Sequence, residues 1–457
     1  MDDTGRLLLD VSTLARWVGP PTGMIRVESE LRVAARRLGI DAEAVFFDPS
    51  IQAFRSLNGA LAERLLGWHG AVDTYGLDYT LARSGWRRLV PSRLAMVRYL
   101  ERRRLTTATP LGIWFAGALQ RAILALRPHR FPFMGGDGER IDLFPADLAL
   151  GDRVAIGPGD MIFMASSDWA AKDPQALARL KKRTGCRIAV ICYDIIPLTH
   201  PAYFPAADVA TFQRYWDGMF GVADTVIANA SAIRDDIQRY CRAARISVPS
   251  IKVVPLGCEP DVSTPERISL PAGLRTDGFA LFVSTIEPRK NHASLLDVWE
   301  RLLAREIPQR AEFRLVFVGR AGWMTDEVMR RIQVIGDAVV HLRGVDDTTL
   351  RVLYDAAAFC LYPSMYEGYG LPVVEAFALG KPVLASNGGA LREVAGAVCE
   401  TLDPTDVAAW ESAVEAMIVD PACRARAAHE VKQRFRPVTW MESATAMLRA
   451  IRDTGQQ

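Results

Sequence analysis

Short apolar runs alternate along the chain with longer stretches in which apolar side chains recur at helical spacing. Residues 7–11 form the first apolar run, a loop with glycine and proline follows, and Val27, Leu31 and Leu38 then share one predicted helix face. A strand, a loop and a helix in that order open a β-α-β unit. Further runs, each predicted as a buried strand, occupy residues 44–47, 161–164, 187–191, 225–228 and 251–254.

The same rhythm is repeated in the second half of the chain. Predicted strands there occupy residues 279–283, 313–318, 339–342, 359–362 and 382–385, and predicted helices separate them. Uninterrupted apolar strands with amphipathic helices between them predict mostly parallel sheets that are covered on both faces. Residues 261–278 contain prolines and glycines with little periodicity, which predicts a linker.

The pattern therefore predicts an α/β protein of two domains, residues 1–262 and 276–435, with an insertion at about 50–145 in the first. Residues 436–457 are expected to form a helix that crosses back to the first domain. Ligands of such sheets bind at the carboxyl ends of the strands, so the cleft between the domains is the expected site. Ser231 is expected to be the N-cap of a helix that starts near Ala232.

The insertion carries an unusual density of positive charge. Residues 83–130 hold eleven arginines and a single acid, Glu101, among apolar clusters. Contact with an anionic membrane, which would suit a lipid-linked acceptor, is one interpretation. Arginine makes up 48 of the 55 basic residues of the whole chain, so clusters also arise by composition. An ordinary solvated surface is therefore an equal alternative.

Composition narrows the class of protein. The chain has 457 residues, 50% of them hydrophobic and 24% charged, which is enough for two cores. A net charge of +2 argues against a dedicated nucleic-acid binder. The seven cysteines are scattered, which predicts free thiols in a reducing compartment. Residues 1–4 lack the pattern of a secretory signal and no apolar run is long enough to span a membrane, so a cytoplasmic or membrane-peripheral protein is expected.

The strongest chemical signal is the segment Tyr-Pro-Ser-Met-Tyr-Glu-Gly-Tyr-Gly-Leu-Pro-Val-Val-Glu-Ala at residues 362–376. Glu367 lies in a glycine-rich loop, and Glu375 follows eight residues later in the expected first turn of a helix. Gly368 and Gly370 allow the backbone to approach a ligand, and the helix N-terminus attracts an anion. These groups suit a sugar attached to a diphosphate. The spacing alone is equally compatible with a loop carboxylate and a favourable helix charge.

A second signal is the segment Ser-Thr-Ile-Glu-Pro-Arg-Lys-Asn-His at residues 284–292. Arg289 and Lys290 stand between a predicted strand and a predicted helix, where an anion would dock. Lys290 is one of only seven lysines in the chain, so general lysine usage does not explain it. A solvated basic pair is the less favoured alternative.

Together these segments resemble the Glu-x7-Glu signature and the Glu-Pro-Arg-Lys-Asn run of the family 4 retaining glycosyltransferases. The resemblance implies the GT-B fold, in which the parallel sheets of two Rossmann-like domains face a central cleft. It implies that Arg289 and Lys290 hold the diphosphate, that Glu367 acts with them and holds the sugar, and that Glu375 holds the ribose. The family's other contacts with the nucleotide sugar correspond here to Gly368, Tyr369, Gly370, Leu371, Gly319, Gly344, Val345 and Gly23.

Two segments of the first half resemble the opposite side of the family's cleft. Thr22, Gly23 and Arg26 belong to a loop similar to the one that touches the phosphates and the acceptor. Residues 193–201 resemble the segment that carries a cleft histidine in many relatives, but here that position is Tyr193, followed by Asp194. The departure leaves the histidine's role open, and Tyr193 or Asp194 is expected to line the sugar or acceptor site instead.

The resemblance implies a retaining transferase of bacterial surface-polysaccharide or lipopolysaccharide synthesis. The transferred group would be a hexose, with mannose favoured, moved from GDP-mannose or another nucleotide diphosphate sugar to a saccharide or lipid-linked saccharide. It implies no cofactor and no metal, because cations and helix dipoles would stabilise the leaving diphosphate. A catalytically inactive nucleotide-sugar-binding scaffold and a GT-B sugar-nucleotide epimerase are the alternatives.

Overall fold

The computed structural model describes residues 5–16, 23–48, 51–57, 132–134, 140–142, 150–165, 169, 172–259 and 269–452. Thr22, the arginine-rich residues 83–130 and the first half of the predicted linker lie outside these ranges.

Strands of the N-terminal half form one large sheet. The described strands are β1 (Leu7–Asp10), β2 (Ala42–Asp48), β3 (Ala53–Leu57), β4 (Pro132–Met134), β5 (Arg140–Asp142), β6 (Leu150–Arg153), β7 (Met161–Met164), β8 (Arg187–Cys192), β9 (Thr225–Ala228) and β10 (Ser250–Val253). Eight of them are adjacent in the order β10-β9-β8-β7-β1-β2-β3-β6, and β4 pairs with β5 separately. The pairings from β10 through β1 to β2 are all parallel, as the apolar runs predict.

One edge of this sheet differs from the prediction. Residues 53–57, assigned to the insertion, form β3, which runs antiparallel to β2 and pairs antiparallel with β6. Only four residues connect β2 to β3. A connection this short returns the chain beside the previous strand and antiparallel to it, whereas a parallel crossover needs a dozen residues or more.

Helices cover both faces of this sheet and bury its apolar side chains. They are α1 (Ser12–Arg16), α2 (Gly23–Arg37), α3 (Pro174–Thr184), α4 (Ile196–Thr199), α5 (Ala206–Val222) and α6 (Ser231–Ala244). The capping prediction for α6 is wrong, because the N-cap is Ala230 and Ser231 is the first helical residue. The side chain of Ser231 therefore makes no cap, and the free backbone N–H groups of this helix find a partner in the other domain.

The second sheet contains six parallel strands. They are β11 (Phe279–Val283), β12 (Arg314–Val318), β13 (Val339–Leu342), β14 (Phe359–Tyr362), β15 (Val383–Ser386) and β16 (Thr401–Leu402). Their order is β13-β12-β11-β14-β15-β16, the doubly wound Rossmann arrangement. The strand order reverses between β11 and β14, so their carboxyl ends diverge and leave a crevice there. Both predicted chemical segments follow these two strands.

Helices pack on both faces of this sheet around a core that includes Phe282, Phe317 and Trp299. They are α7 (His292–Ala304), α8 (Ile307–Arg310), α9 (Asp326–Ile335), α10 (Asp347–Ala356), α11 (Leu371–Ala378), α12 (Leu391–Val394), α13 (Val407–Val419) and α14 (Pro421–Arg434). The last helix, α15 (Trp440–Arg452), leaves this domain and packs against α2 of the first.

The start of α15 packs tightly against the first domain. Gly257 lies against Trp440, where a Cβ atom would come within 2.4 Å of the Trp440 Cα atom. Ser443 donates a hydrogen bond of 2.6 Å to the carbonyl of Pro255. Trp440, Met447 and Ile451 join the apolar core of the first domain. The end of the described chain is thus part of the first domain's packing.

Within the described ranges, no helix combines the length and the apolar character needed to cross a bilayer. All seven cysteines are free thiols, as predicted.

Candidate functional site

The candidate site lies at the switch point of the second sheet, where the loops after β11 and β14 meet. Residues 288–290 form a single 3-10 turn after β11, and Asn291 ends it in the left-handed conformation with φ of 62°. The Asn291 side chain donates hydrogen bonds to the carbonyls of Pro363, at 3.1 Å, and Pro404, at 2.9 Å. The backbone N–H of Met365 donates to the carbonyl of Arg289 at 2.8 Å. These bonds fasten the two loops to each other.

Both predicted cations contact the first predicted carboxylate. Arg289 donates from Nη1 to Glu367 at 2.7 Å and from Nη2 to Glu287 at 2.7 Å. Lys290 pairs with the other oxygen of Glu367, which also accepts from the Ser364 hydroxyl at 2.7 Å. The Arg289, Lys290 and Glu367 side chains are 14%, 15% and 11% exposed. This cluster is therefore largely shielded from bulk water, although each of the three side chains keeps some exposure.

The charges of this cluster govern its protonation. Burial by itself raises the pKa of Glu367, but attraction to Arg289 and Lys290 outweighs it and lowers that pKa to about 2. Burial lowers the pKa of Lys290, and the positive charge of Arg289 lowers it further. Removing Glu367 would leave two cations side by side in a poorly solvated place, which is strongly unfavourable.

Some N–H donors of Arg289 and Lys290 have no acceptor among the described residues. The Nε atom of Arg289 is buried and has no hydrogen-bond partner among the described residues. An ammonium group has three N–H donors, and Glu367 is the one described hydrogen-bond acceptor of the Lys290 ammonium group. Buried donors are usually satisfied, so unpartnered donors at a strand switch point call for a partner, which an anionic ligand can supply.

The Glu367 loop is held by its backbone. The N–H of Glu367 donates to Gly388 at 3.3 Å, and its carbonyl accepts from Ala390 at 2.9 Å. Gly370 has φ of 93° and is the N-cap of α11, a conformation that disfavours a side chain. A Cβ atom on Gly368 would lie 2.7 Å from the carbonyl oxygen of Tyr193 in the first domain. Both glycines are thus required by the backbone path.

Glu375 differs from Glu367 in its surroundings. It lies in the second turn of α11 rather than in the predicted first turn. Burial raises the pKa of Glu375 to about 7, while Arg26 of α2 lowers it and Asp347 raises it. Arg26 also pairs with Asp347 at 3.6 Å across the domain boundary. Arg26, on helix α2 of the first domain, therefore lies close to Glu375 and Asp347 of the second domain.

The remaining predicted contacts with the nucleotide sugar differ in whether they stay within the second domain or pack on the core of the first. Gly319, with φ of 150°, is packed so closely that a Cβ atom would lie 2.0 Å from the Ser284 carbonyl, and Val345 packs on the second core. Gly344 has φ of 63° and open space around it. Tyr369 and Leu371 instead pack on the first domain's core, where the Tyr369 hydroxyl donates to the Leu256 carbonyl at 3.1 Å.

The first domain presents two neighbouring residues with opposite orientations. The hydroxyl of Tyr193 donates to the carbonyl of Ala165 at 2.8 Å, and its side chain packs on the core of the first domain. The carboxylate of Asp194 lies beside Gly368 of the Glu367 loop. Gly23 is the first residue of α2, and Thr22 lies outside the described residues.

Sequence reasoning missed several contacts between the domains. Trp323 of the second domain donates from its indole N–H to the carbonyl of Tyr203 in the first at 2.7 Å. The Tyr366 hydroxyl donates to the carboxylate of Asp236 at 2.5 Å. Nothing local in the sequence signals these pairs, because each joins residues more than a hundred positions apart.

The carboxylate of Glu393 takes the place expected for a helix cap. Its two oxygens accept hydrogen bonds from the N–H groups of Ser231 and Ala232, at 3.1 and 3.2 Å. Glu393 follows the loop that holds the backbone of Glu367. The first turn of α6 thus binds the Glu367 side of the second domain, where a carboxylate meets the positive end of the helix dipole.

Among the described residues, no three His, Cys, Asp or Glu side chains lie close enough together to hold a metal ion.

The sequence has recognisable relatives. Residues 278–420 match the family model described as glycosyl transferases group 1. The O-antigen chain mannosyltransferase B of Escherichia coli is 29% identical over 274 residues, covering 58% of this chain and 70% of that protein. The serotype-specific mannosyltransferase WbdA of Escherichia coli is 24% identical over 325 residues, covering 67% of this chain but 38% of that protein.

Among solved structures, a UDP-forming trehalose-phosphate synthase from Burkholderia xenovorans has a similar fold. The two share a TM-score of 0.51 and 15% sequence identity, over 81% of this chain and 85% of that one. The family match takes in every strand of the second sheet, including both loops of the candidate site. The second domain therefore belongs to the group 1 glycosyl transferases, and the chain is a glycosyltransferase of the GT-B fold.

Proposed function

We propose that this glycosyltransferase moves a hexose, with mannose favoured, from a nucleotide diphosphate sugar to a saccharide or lipid-linked saccharide. The sugar and the setting, a surface polysaccharide, are supported by the relatives, which are named as O-antigen and serotype-specific mannosyltransferases. The reaction is proposed to retain the anomeric configuration and to need neither cofactor nor metal ion. It would take place in the cytoplasm or at the inner membrane face, where residues 83–130 would either contact the anionic membrane or form an ordinary solvated surface.

The observation that carries this proposal is the cluster of Arg289, Lys290 and Glu367 with its unused donors. The free N–H of Arg289 and the remaining protons of Lys290 can bind a diphosphate without breaking the pairs to Glu367. The carboxylate of Glu367 accepts three hydrogen bonds from the protein, which leaves one lone pair, on the oxygen that faces Arg289, for a hydroxyl group. The two cations can bind a phosphate group, and the neighbouring carboxylate can accept a hydrogen bond from a sugar hydroxyl. Together they suit a ligand in which a phosphate is joined to a sugar.

The proposed chemistry uses this arrangement. The bond between the anomeric carbon and the diphosphate oxygen breaks, and the bonding electrons stay on the diphosphate. Arg289 and Lys290 stabilise that developing charge in a shielded site, where fixed charges act more strongly than in water. The acceptor hydroxyl forms the new bond on the same face of the sugar, and its proton passes to the departing phosphate oxygen. The contacts between the domains keep water from competing.

Two alternatives remain to be separated by experiment. A catalytically inactive scaffold would bind a nucleotide sugar without turning it over. A sugar-nucleotide epimerase would change the donor without needing an acceptor. The family of the second domain favours transfer over both.

A thermal-shift screen is the first test. The full chain is melted alone and with GDP, UDP, ADP or dTDP, each with and without EDTA, because a ligand that binds the native state raises its melting temperature. We expect one diphosphate to stabilise the protein equally in EDTA, and Lys290→Ala to abolish the shift. Lys182→Ala, which changes an exposed lysine of α3, is the matched control and should keep the shift. No shift with any diphosphate in the wild type would contradict the proposal.

A turnover assay then separates the alternatives. Labelled GDP-mannose and other nucleotide sugars are incubated with saccharide and lipid-linked acceptors, and the anomeric configuration of the product is determined by NMR. Transfer with retention supports the proposal. Epimerised donor without acceptor, binding without turnover, or an inverted product contradicts it.

A further inference from the structure

We propose that Asp194 binds a hydroxyl group of the transferred hexose and thereby selects which sugar is used. This inference rests on the proposed function and concerns the same cleft. It assigns a specificity-determining residue to the first domain, on the side that faces Glu367.

Tyr193 is not placed for this role. Its hydroxyl is used by the Ala165 carbonyl, and its ring packs on the apolar core beneath the sheet. Its backbone carbonyl accepts a hydrogen bond of 3.0 Å from the side chain of Asn229, which is itself buried. Three neighbouring strand ends thus hold Tyr193 in place. The next residue, Asp194, is consequently held at a defined position.

The carboxylate of Asp194 has one engaged and one available oxygen. Its Oδ1 atom accepts the N–H of Ile196 at 3.0 Å. Its Oδ2 atom lies 3.1 Å from the place that a Cβ atom of Gly368 would occupy, and no described residue donates a hydrogen bond to it. Oδ2 is thus an acceptor directly beside the residue that follows Glu367.

Asp194 shares the electrostatic environment of the cluster. Burial raises the pKa of Asp194, attraction to Arg289 and Lys290 opposes that effect, and repulsion from Glu367 adds to it. The two carboxylates, which come from opposite domains, therefore lie close enough to the same cations and to each other to interact electrostatically. Once the cations hold a diphosphate, the group next to it is the sugar. A hydroxyl-bearing ring is the part of the ligand that two acceptors can bind.

The alternative role is purely structural, namely to hold the turn at Ile196 through Oδ1. The substitution Asp194→Asn separates the two roles, because asparagine keeps an oxygen for the Ile196 N–H and replaces Oδ2 by a donor. Asp194→Ala removes both. The matched control is Asp235→Asn, an exposed acid of α6 that pairs with Arg234 on the surface.

The test measures the dissociation constant of the stabilising nucleoside diphosphate and of its intact nucleotide sugar for each variant. Hydrogen bonds to charged groups are strong, so for Asp194→Asn we expect binding of the intact sugar nucleotide to weaken by about tenfold or more. Binding of the diphosphate alone should change by less than about twofold, because it lacks the sugar. Asp235→Asn should change neither value, and both asparagine variants should melt like the wild type.

Deoxy analogues identify the hydroxyl. In the wild type, the nucleotide sugar that lacks the critical hydroxyl should bind about tenfold more weakly than the parent. In Asp194→Ala the two should bind equally, because the contact has already been removed and the effects are not additive.

The outcomes distinguish this inference from the proposed function. If the wild type binds no diphosphate, the proposed function fails. If the wild type binds and turns over the nucleotide sugar, but the Asp194 variants weaken both ligands equally or respond to every deoxy analogue as the wild type does, the assignment of Asp194 is overturned.

Discussion

The two sides of the cleft assemble their polar groups in different ways. In the second domain, Arg289, Lys290 and Glu367 come from two short loops at one switch point, and each loop is tied to the other by backbone and side-chain bonds. In the first domain, Ala165, Tyr193 and Asn229 follow three different strands and meet only because those strands are adjacent. Local motifs therefore describe the second domain's side well and the first domain's side poorly.

The electrostatics of the two glutamates show the same contrast within one motif. Glu367 is paired with two cations, which lower its pKa to about 2. Glu375, on the next helix, faces one partly exposed arginine from the other domain, and burial raises its pKa to about 7. The carboxylate of Glu367 is thus ionised at neutral pH, whereas that of Glu375 titrates near neutral pH.

The largest effect is expected from Glu367. Glu367→Gln removes the charge that compensates Arg289 and Lys290 and weakens the contact with the sugar, so kcat/KM should fall by about 100-fold or more. Initial rates with the nucleotide sugar identified by the thermal-shift screen measure the fall. Glu327→Gln, an exposed acid of α9 that pairs only with neighbouring arginines, should retain full activity. Activity of Glu367→Gln within threefold of the wild type would show that the cluster is structural.

The next effect concerns pH and Glu375. If its carboxylate accepts the ribose hydroxyls, nucleotide affinity should fall as the pH drops below about 7, by up to about tenfold per pH unit. Calorimetric titration of the diphosphate between about pH 5.5 and pH 8 measures this trend. Glu375→Gln should bind more weakly at pH 8 and lose the dependence. A dependence that survives in Glu375→Gln would assign it to another group.

The same group also affects stability. The folded-state pKa of Glu375, about 7, lies above its ordinary value of 4.5, so the folded protein binds more protons between these two values. Its contribution to the free energy of unfolding is therefore fully present below about pH 4.5 and is lost as the pH rises through about 7. Glu367 has the opposite sign, because its contribution is present above about pH 4.5 and is lost as the pH falls towards 2. Urea melts of the wild type and of Glu375→Gln across this range test the sign.

The smallest effect is expected from Tyr193 of the first domain. Tyr193→Phe removes one hydrogen bond to Ala165, which should lower the free energy of unfolding by about 1 kcal/mol. Because the hydroxyl is engaged by the Ala165 carbonyl within the first domain, the ratio of the affinities for the nucleotide sugar and the diphosphate should stay close to that of the wild type. Denaturant melts and the same binding assays provide both values. A changed ratio would show that Tyr193 itself reaches the sugar.

Much of the fold was predictable because buried parallel strands have continuous apolar runs. The first strand, the central strands of the first sheet and five strands of the second were all predicted within a residue or two. The antiparallel strand β3 and the two-residue strand β16 were missed, since neither has enough apolar residues to be distinguished from a loop. The cap of α6 was assigned to Ser231 from local sequence, but the partner of its N–H groups is Glu393 of the other domain.

The sequence by itself determined the two α/β domains, the loops that carry Arg289, Lys290 and Glu367, and the glycines that their backbone requires. These features depend on periodicity and on contacts within one short loop, which neighbouring residues encode. Tertiary structure alone decided that Tyr193 points into the first domain while Asp194 faces the cleft, that Trp323 joins the domains, and that Glu393 caps α6. Such outcomes depend on which strand ends become neighbours and how side chains share the space between two sheets, and no local pattern contains that information.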